Sequence, residues 1–202
     1  IGYETYFNTL DLGFNITYFD ILVEDPIMGS NITNFQDNVP GAENKSKGIE
    51  LATNWTDNKK LGIDFNYTLT RSYSGGDCDK PQRDKWGQTS CNASDNKFLK
   101  NAMVRVPIHA IGSKIKYQFN KNLKSSLRLT YKGQTRDYGG TDYSFKDQIL
   151  DDYLLVDLAS TYALSENYKI DFSLKNLFDK NHENSLDYSG TPRTMNIGLN
   201  MK

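Results

Sequence analysis

Apolar and polar side chains alternate strictly, in several stretches over ten or more residues, along this 202-residue chain, and no other feature restricts its fold as much. Successive side chains of a β-strand point to opposite faces, so period two gives a strand one apolar and one polar face. Leu61, Ile63, Phe65, Tyr67 and Leu69 alternate with Gly62, Asp64, Asn66, Thr68 and Thr70. Leu10, Leu12, Phe14, Ile16 and Tyr18 do the same against Asp11, Gly13, Asn15 and Thr17, and Ile49, Leu51 and Trp55 repeat it more loosely. Further on, Ile111, Ile115, Tyr117 and Phe119, then Leu123, Leu127, Leu129 and Tyr131, oppose Lys114, Lys116, Lys124, Arg128 and Lys132. The even positions from Leu154 to Leu164, then Tyr168, Ile170, Phe172 and Leu174, and last Met195, Ile197, Leu199 and Met201 complete the pattern.

Strands of soluble proteins usually run about five or six residues, whereas a tilted strand needs roughly nine to eleven to cross a bilayer. In a transmembrane barrel the apolar face meets lipid, the polar face meets a wet interior, and aromatic residues gather near the strand ends, as Tyr73, Phe119, Tyr131 and Tyr162 do here. A large soluble antiparallel sheet with one wet face gives the same alternation. The connections separate the two. The pattern predicts nine strands over 1–8, 9–23, 31–57, 60–73, 102–119, 122–136, 151–164, 167–177 and 191–202. Tight turns fall near Asn8, at Asp57 to Lys60, at Asn120 to Asn122 and at Ser165 to Asn167, and long connections at 24–30, 74–101, 137–150 and 178–190, rich in Gly, Asp, Asn and Pro. Short turns on one rim and long loops on the other match the periplasmic and extracellular sides of an outer-membrane barrel, with the C-terminus periplasmic. An open nine-stranded sheet would leave two unpaired edges in hydrocarbon, at several kcal/mol for each unsatisfied backbone group. The expectation is therefore an all-β fold: residues 1–202 as part of a larger antiparallel transmembrane β-barrel domain, with further strands before Ile1.

Composition removes other classes. With 25 acidic against 24 basic residues the formal charge is -1, which leaves no electrostatic case for nucleic acid. No apolar run reaches the roughly 18 to 20 residues of a membrane-spanning helix, and Ile1 to Leu10 shows no signal-peptide pattern. Cys78 and Cys91 lie thirteen apart in a polar stretch, which fits a loop-closing disulfide in an oxidising compartment, the other reading being two free thiols. His109 and His182 lack partners at metal-site spacing, Asp151-Asp152 reads as a loop charge pair, and there is no Gly-x-Ser-x-Gly, phosphate loop or Cys-x-x-Cys. Neither an enzyme nor a cofactor or metal site is expected. Six Asn-x-Ser/Thr triplets occur, but Asn15 and Asn66 fall mid-strand on the polar face, and a composition rich in Asn and Thr accounts for them.

Two motifs carry a resemblance to a known family. Lys47-Gly48-Ile49-Glu50 is preceded by Asp25-Pro26-Ile27 and Asn38, and Asn176-Leu177-Phe178-Asp179-Lys180, in the penultimate strand, is followed by Gly190-Thr191-Pro192-Arg193 opening the last. Over essentially its whole length the chain resembles the C-terminal portion of TonB-dependent outer-membrane receptors. That resemblance implies a 22-stranded barrel closed by an N-terminal plug, active uptake of a scarce large nutrient such as cobalamin or an iron-siderophore complex, and partners in membrane lipid, the plug and, through a missing N-terminal part with its TonB box, the TonB complex. From Lys114-Ile115-Lys116-Tyr117 through Val156-Asp157-Leu158-Ala159 to the Asn-Leu-Phe-Asp-Lys motif, the likeness is greatest to the cobalamin-receptor branch. The end Asn200-Met201-Lys202 departs from the aromatic terminus common in such barrels.

Candidate ligand contacts lie in two loops. Arg83, Lys85 and Trp86 combine cationic donors with a stacking surface, suited to a large polar ligand with an apolar face. Equally, they fit a solvated loop whose Trp packs on its own disulfide. Tyr138, Asp142, Tyr143 and Phe145, flanked by Gly139 and Gly140, form an aromatic loop able to close over a ligand, or an ordinary hairpin tip. Asp64, Lys114, Lys116, Lys124, Arg128, Asp157, Lys169 and Asp171 are expected to face the interior and meet the plug. Two rival readings are a passive porin-like channel and a soluble or cell-surface β-sheet module that binds carbohydrate.

Overall fold

A computed structural model describes residues 1–24, 27–29, 36–38, 43–57, 59–75, 102–138 and 147–201. Nine strands form one sheet: β1 (Gly2–Phe7), β2 (Leu12–Glu24), β3 (Glu43–Thr56), β4 (Leu61–Gly75), β5 (His109–Gln118), β6 (Leu123–Lys132), β7 (Tyr153–Ala163), β8 (Tyr168–Lys175) and β9 (Thr194–Met201). Each pairs antiparallel with its neighbours along the chain, so β1 and β9 are the two edges. The three longest strands have 13, 14 and 15 residues, well past the soluble norm and long enough to cross a bilayer with residues to spare.

The register sorts side chains by polarity without exception along one row. Phe7, Leu12, Trp55, Ile63, Ile115, Leu127, Leu158, Leu174 and Met195 lie opposite one another across all nine strands. One residue further, the other face carries Asn54, Asp64, Lys114, Arg128 and Asp157 across β3 to β7. A slip of one residue in β4, β5, β6 or β7 could place Asp64, Lys114, Arg128 or Asp157 among the apolar row, so the pattern itself favours this register. Aromatic side chains border the apolar band, with Tyr117 and Phe119 in edge-to-face contact at 4.8 Å on the short-turn side and Tyr67 bonded through its hydroxyl to His109 Nδ1 at 2.9 Å on the other. Such girdles mark the water interfaces of a membrane barrel. Gly48 has to be glycine: a Cβ there would lie 1.9 Å from the Leu69 carbonyl and 2.7 Å from the Phe19 ring.

Several expected boundaries are corrected. The third strand starts at Glu43 rather than 31, and Gln36–Asn38 instead pairs with Ile27–Gly29; Pro40-Gly41 is ill suited to a continuous ladder. The fifth starts at His109 rather than 102, because Arg105 takes a left-handed backbone (φ 63°) and Pro107 offers no N–H. The sixth stops at Lys132 rather than 136. Gly133 bonds back to the His109 carbonyl, and Thr135–Tyr138 pairs with Asp147–Leu150 as a separate ribbon. The Asn176 motif lies beyond the penultimate strand, which ends at Lys175, and the connection expected over 178–190 holds the small pair Glu183–Ser185 with Tyr188–Ser189. The second strand starts at Leu12 rather than 9, since Asp11 (φ 47°) belongs to the preceding turn.

Candidate functional site

Two polar regions stand out, one on a face of the sheet and one at its rim. On the polar face Lys116 Nζ reaches Asp64 Oδ2 at 2.6 Å, and Thr161 Oγ1 donates to Asp171 Oδ1 at 2.6 Å. Lys114 lies directly opposite Arg128, and this like-charge pair is flanked in the same row by Asp64 opposite Lys114 and Asp157 opposite Arg128. None of Lys114, Arg128 and Lys124 has a carboxylate in ion-pairing distance among the described residues. A hollow of about 340 Å³ near the short turns gathers Lys60, Lys114, Lys116 and Lys124. The hollow, rather than the whole face, is basic and suits an acidic group.

The rim of the long connections is built differently. Asp137, in the ribbon after β6, is completely buried. Its carboxylate accepts Arg105 Nε on both oxygens at 3.1 and 3.0 Å and the Leu186 backbone N–H at 2.8 Å. Arg105 comes from the approach to β5 and Leu186 from the connection between β8 and β9, so one side chain joins three segments. Around it, Arg136 Nη1 donates to the Ala102 carbonyl at 2.7 Å and Arg105 N to the Arg136 carbonyl at 2.8 Å. Lys132 Nζ donates to the Asn184 carbonyl at 3.1 Å, and Tyr153 OH to Asn184 Oδ1 at 2.9 Å. The His182 ring packs on Tyr153 at 4.6 Å, with Gly190 against its other side, where a Cβ would lie 2.0 Å from Nε2. Ala102, Leu150, Tyr153 and Leu186 are buried in this knot and help to keep water from the Asp137 carboxylate.

The motif residues frame its lower edge. Asn176 sits in the left-handed region (φ 49°), which asparagine tolerates better than most residues. Its side chain accepts Lys180 N at 2.8 Å and donates to the Lys180 and Thr191 carbonyls at 3.0 and 3.1 Å, while its own N–H donates to Asp157 Oδ1 at 2.9 Å. Leu177 N bonds to the Val156 carbonyl, Asp179 Oδ1 accepts Arg193 N at 2.8 Å, and the Pro192 carbonyl accepts Thr194 Oγ1 at 3.0 Å. Phe178 points outward and is 74% exposed. The motif is thus a strand-ending turn that leads the chain into the last connection.

Of the expected ligand residues, Arg83, Lys85, Trp86, Asp142 and Tyr143 lie outside the described residues, as do Cys78 and Cys91. The backbone of Tyr138 pairs with Asp147 at the end of the ribbon. Both expected ligand loops therefore leave from the knot, at Ala102 and at Tyr138. The knot itself, from Arg105, Asp137, His182 and Asn184, is absent from the sequence expectations. The side-chain ties of Asp137 and Asn184 span 31 to 52 residues, and no local spacing signals them.

Comparison with known proteins fits this geometry. A sequence model described as TonB dependent receptor-like, beta-barrel, matches residues 1–177. Among solved structures, the ferric-catecholate import receptor Fiu from E. coli K12 in its closed form superposes with a TM-score of 0.71 at 17% identity, over 99% of this chain and 27% of that one. The siderophore receptor PiuA from Acinetobacter baumannii gives 0.69 at 19% identity, over 94% and 26%. The FrpB iron transporter from Neisseria meningitidis gives 0.68 at 16%, over 99% and 30%. The chain spans about a quarter to a third of the length of these structures. No curated protein matches it in sequence.

Proposed function

The chain belongs to the TonB-dependent receptor-like β-barrel family, and on that premise we propose that it forms the C-terminal wall of an outer-membrane receptor that takes up an iron-siderophore complex. The apolar row that crosses all nine strands carries this reading, because it needs lipid on one side and a filled, polar interior on the other. Edges β1 and β9 are then closed by strands outside this chain, which removes unpaired backbone from hydrocarbon. The lysine-rich face contacts a plug that fills the interior and is worked by the TonB complex. The long connections lie outside the cell, the short turns and the C-terminus in the periplasm, and loops 74–101 and 137–150 reach the ligand. Arg83, Lys85, Trp86, Tyr138, Asp142 and Tyr143 are its contacts, and a Cys78–Cys91 disulfide stiffens the first loop.

Iron-siderophore complexes are the preferred substrate class, because the neighbours of known role include a ferric-catecholate importer and a siderophore receptor. Cobalamin is the second reading, favoured only by the likeness of residues 114–180 to that branch.

Uptake of radiolabelled ferric catecholate and of radiolabelled cobalamin, in cells carrying or lacking the full-length gene, tests the proposal. Iron uptake that needs both the gene and TonB is the expected result. Uptake through the protein that persists without TonB would establish a passive channel instead, and gene-dependent uptake of cobalamin alone would exchange the substrate.

A further inference from the structure

A carboxylate removed from water is costly unless donors surround it, and Asp137 is both fully buried and fully engaged at its two oxygens. Its donors belong to neither its own ribbon nor a neighbouring strand of the sheet. Arg105 is 32 residues before it and Leu186 is 49 after. Three of the long connections, those between β4 and β5, β6 and β7, and β8 and β9, thus meet at one side chain. Secondary ties run in parallel: Arg136 to Ala102 joins the first two connections, and Lys132 and Tyr153 to Asn184 join the strands beside the second to the third.

We propose that Asp137 is a positioning residue that latches these three connections into one unit, so that the loops leaving from Ala102 and Tyr138 keep a fixed spacing at the rim. The functional value of that spacing rests on the ligand-capture reading above, whereas the latch does not. Separate flexible loops each lose conformational entropy when a ligand orders them. Loops rooted in one preformed block lose less, and a displacement of one root is passed to the others through the shared carboxylate. The contacts of Asp137 described above join the connections on the β4–β9 side.

The test uses the full-length receptor in detergent, with Cys78 and Cys91 replaced by serine and spin labels at two sites that are not buried, Val104→Cys beside Arg105 in the approach to β5 and Ser189→Cys in the last connection, which are joined through Asp137. Pulsed electron-electron resonance reads the distance between them. The native chain gives a narrow distribution. Asp137→Asn keeps an acceptor for Leu186 but loses the charge that holds Arg105, and the distribution widens at least about twofold while the heat-modifiable mobility of the folded barrel is unchanged. A distribution as narrow in D137N as in the native chain overturns the proposal. If D137N loses the folded band, Arg105→Gln replaces it with the same two outcomes, since the Arg105 side chain is 56% exposed and its removal leaves the barrel wall intact. No ligand enters this measurement, so failure of the transport reading and failure of the latch are seen separately.

Discussion

The two rims of the sheet solve the same problem, turning the chain back into the next strand, by opposite means. On the short-turn rim the solution is local. Asp57 Oδ1 accepts the N–H groups of Lys59, Lys60 and Leu61 at 2.7–2.8 Å, and Asn120 Oδ1 accepts those of Asn122 and Leu123 at 2.8 and 2.9 Å, all within four residues. On the long-connection rim the ties of Asp137, Asn184 and Arg136 span 31 to 52 residues. A local turn forms as soon as its few residues meet and carries no information about the rest of the barrel. A long-range knot forms only when the strands beneath it are in register, and it then holds segments that have no secondary structure linking them. The first kind suits a rim that only closes hairpins, the second a rim whose loops must act together.

If that contrast is right, the largest loss of stability should come from the knot. Asp137→Ala strands the Leu186 N–H and frees Arg105, whose half-exposed head finds water, so the expected cost is about 2–3 kcal/mol rather than that of a stranded buried charge. Guanidinium unfolding of the full-length receptor in detergent measures it, and a cost under about 1 kcal/mol would erase the distinction between the rims. Asn176→Ala comes next. It removes the side chain's three hydrogen bonds and leaves alanine in a left-handed backbone, for about 2 kcal/mol, and Asn176→Gly should recover part of that by relieving the backbone alone. Recovery by glycine to the native value would mean that the motif matters only for its φ.

The smallest effect belongs to the short-turn rim and is read by pH. The Asp57 carboxyl is held below its ordinary value of 3.8 chiefly by the Leu61 N–H, then by Lys59, with Lys60 adding to them. A carboxyl lowered on folding stabilises the turn above the unfolded value, and that support is lost as pH falls through the lowered folded value. Hydrogen exchange of the peptide over 56–62 should therefore stay protected at pH 3.8 and rise only at more acid pH, with Asp57→Asn showing no such step. A step at or above 3.8 in the native chain would contradict the nest of three N–H donors.

Much of this was legible beforehand. The alternation at Leu61 to Thr70 located β4, the parity of the connections sorted the two rims, and Asp57 and Asn120 announced their turns because an Asx turn uses only neighbouring atoms. The errors cluster where period two breaks. Met103 to Ile108 contains enough apolar residues to extend a strand pattern, yet it is drawn off by the left-handed Arg105, while Gly133 to Tyr138, polar except at Tyr138, leaves the sheet to pair with Asp147–Leu150. Nothing in the sequence marks Asp137, and His182 draws notice only for lacking metal partners.

The sequence by itself determined which face of each strand is apolar, the antiparallel order and the short turns, since each depends on residues two to four apart. Only the tertiary structure decided that Arg105, Asp137 and Leu186 meet and that Asn176 ends a strand rather than extends it. The reason is physical. A charge in a loop is stable in water and equally stable buried against a guanidinium and an amide, and which of the two it meets depends on where distant strands deliver its partners.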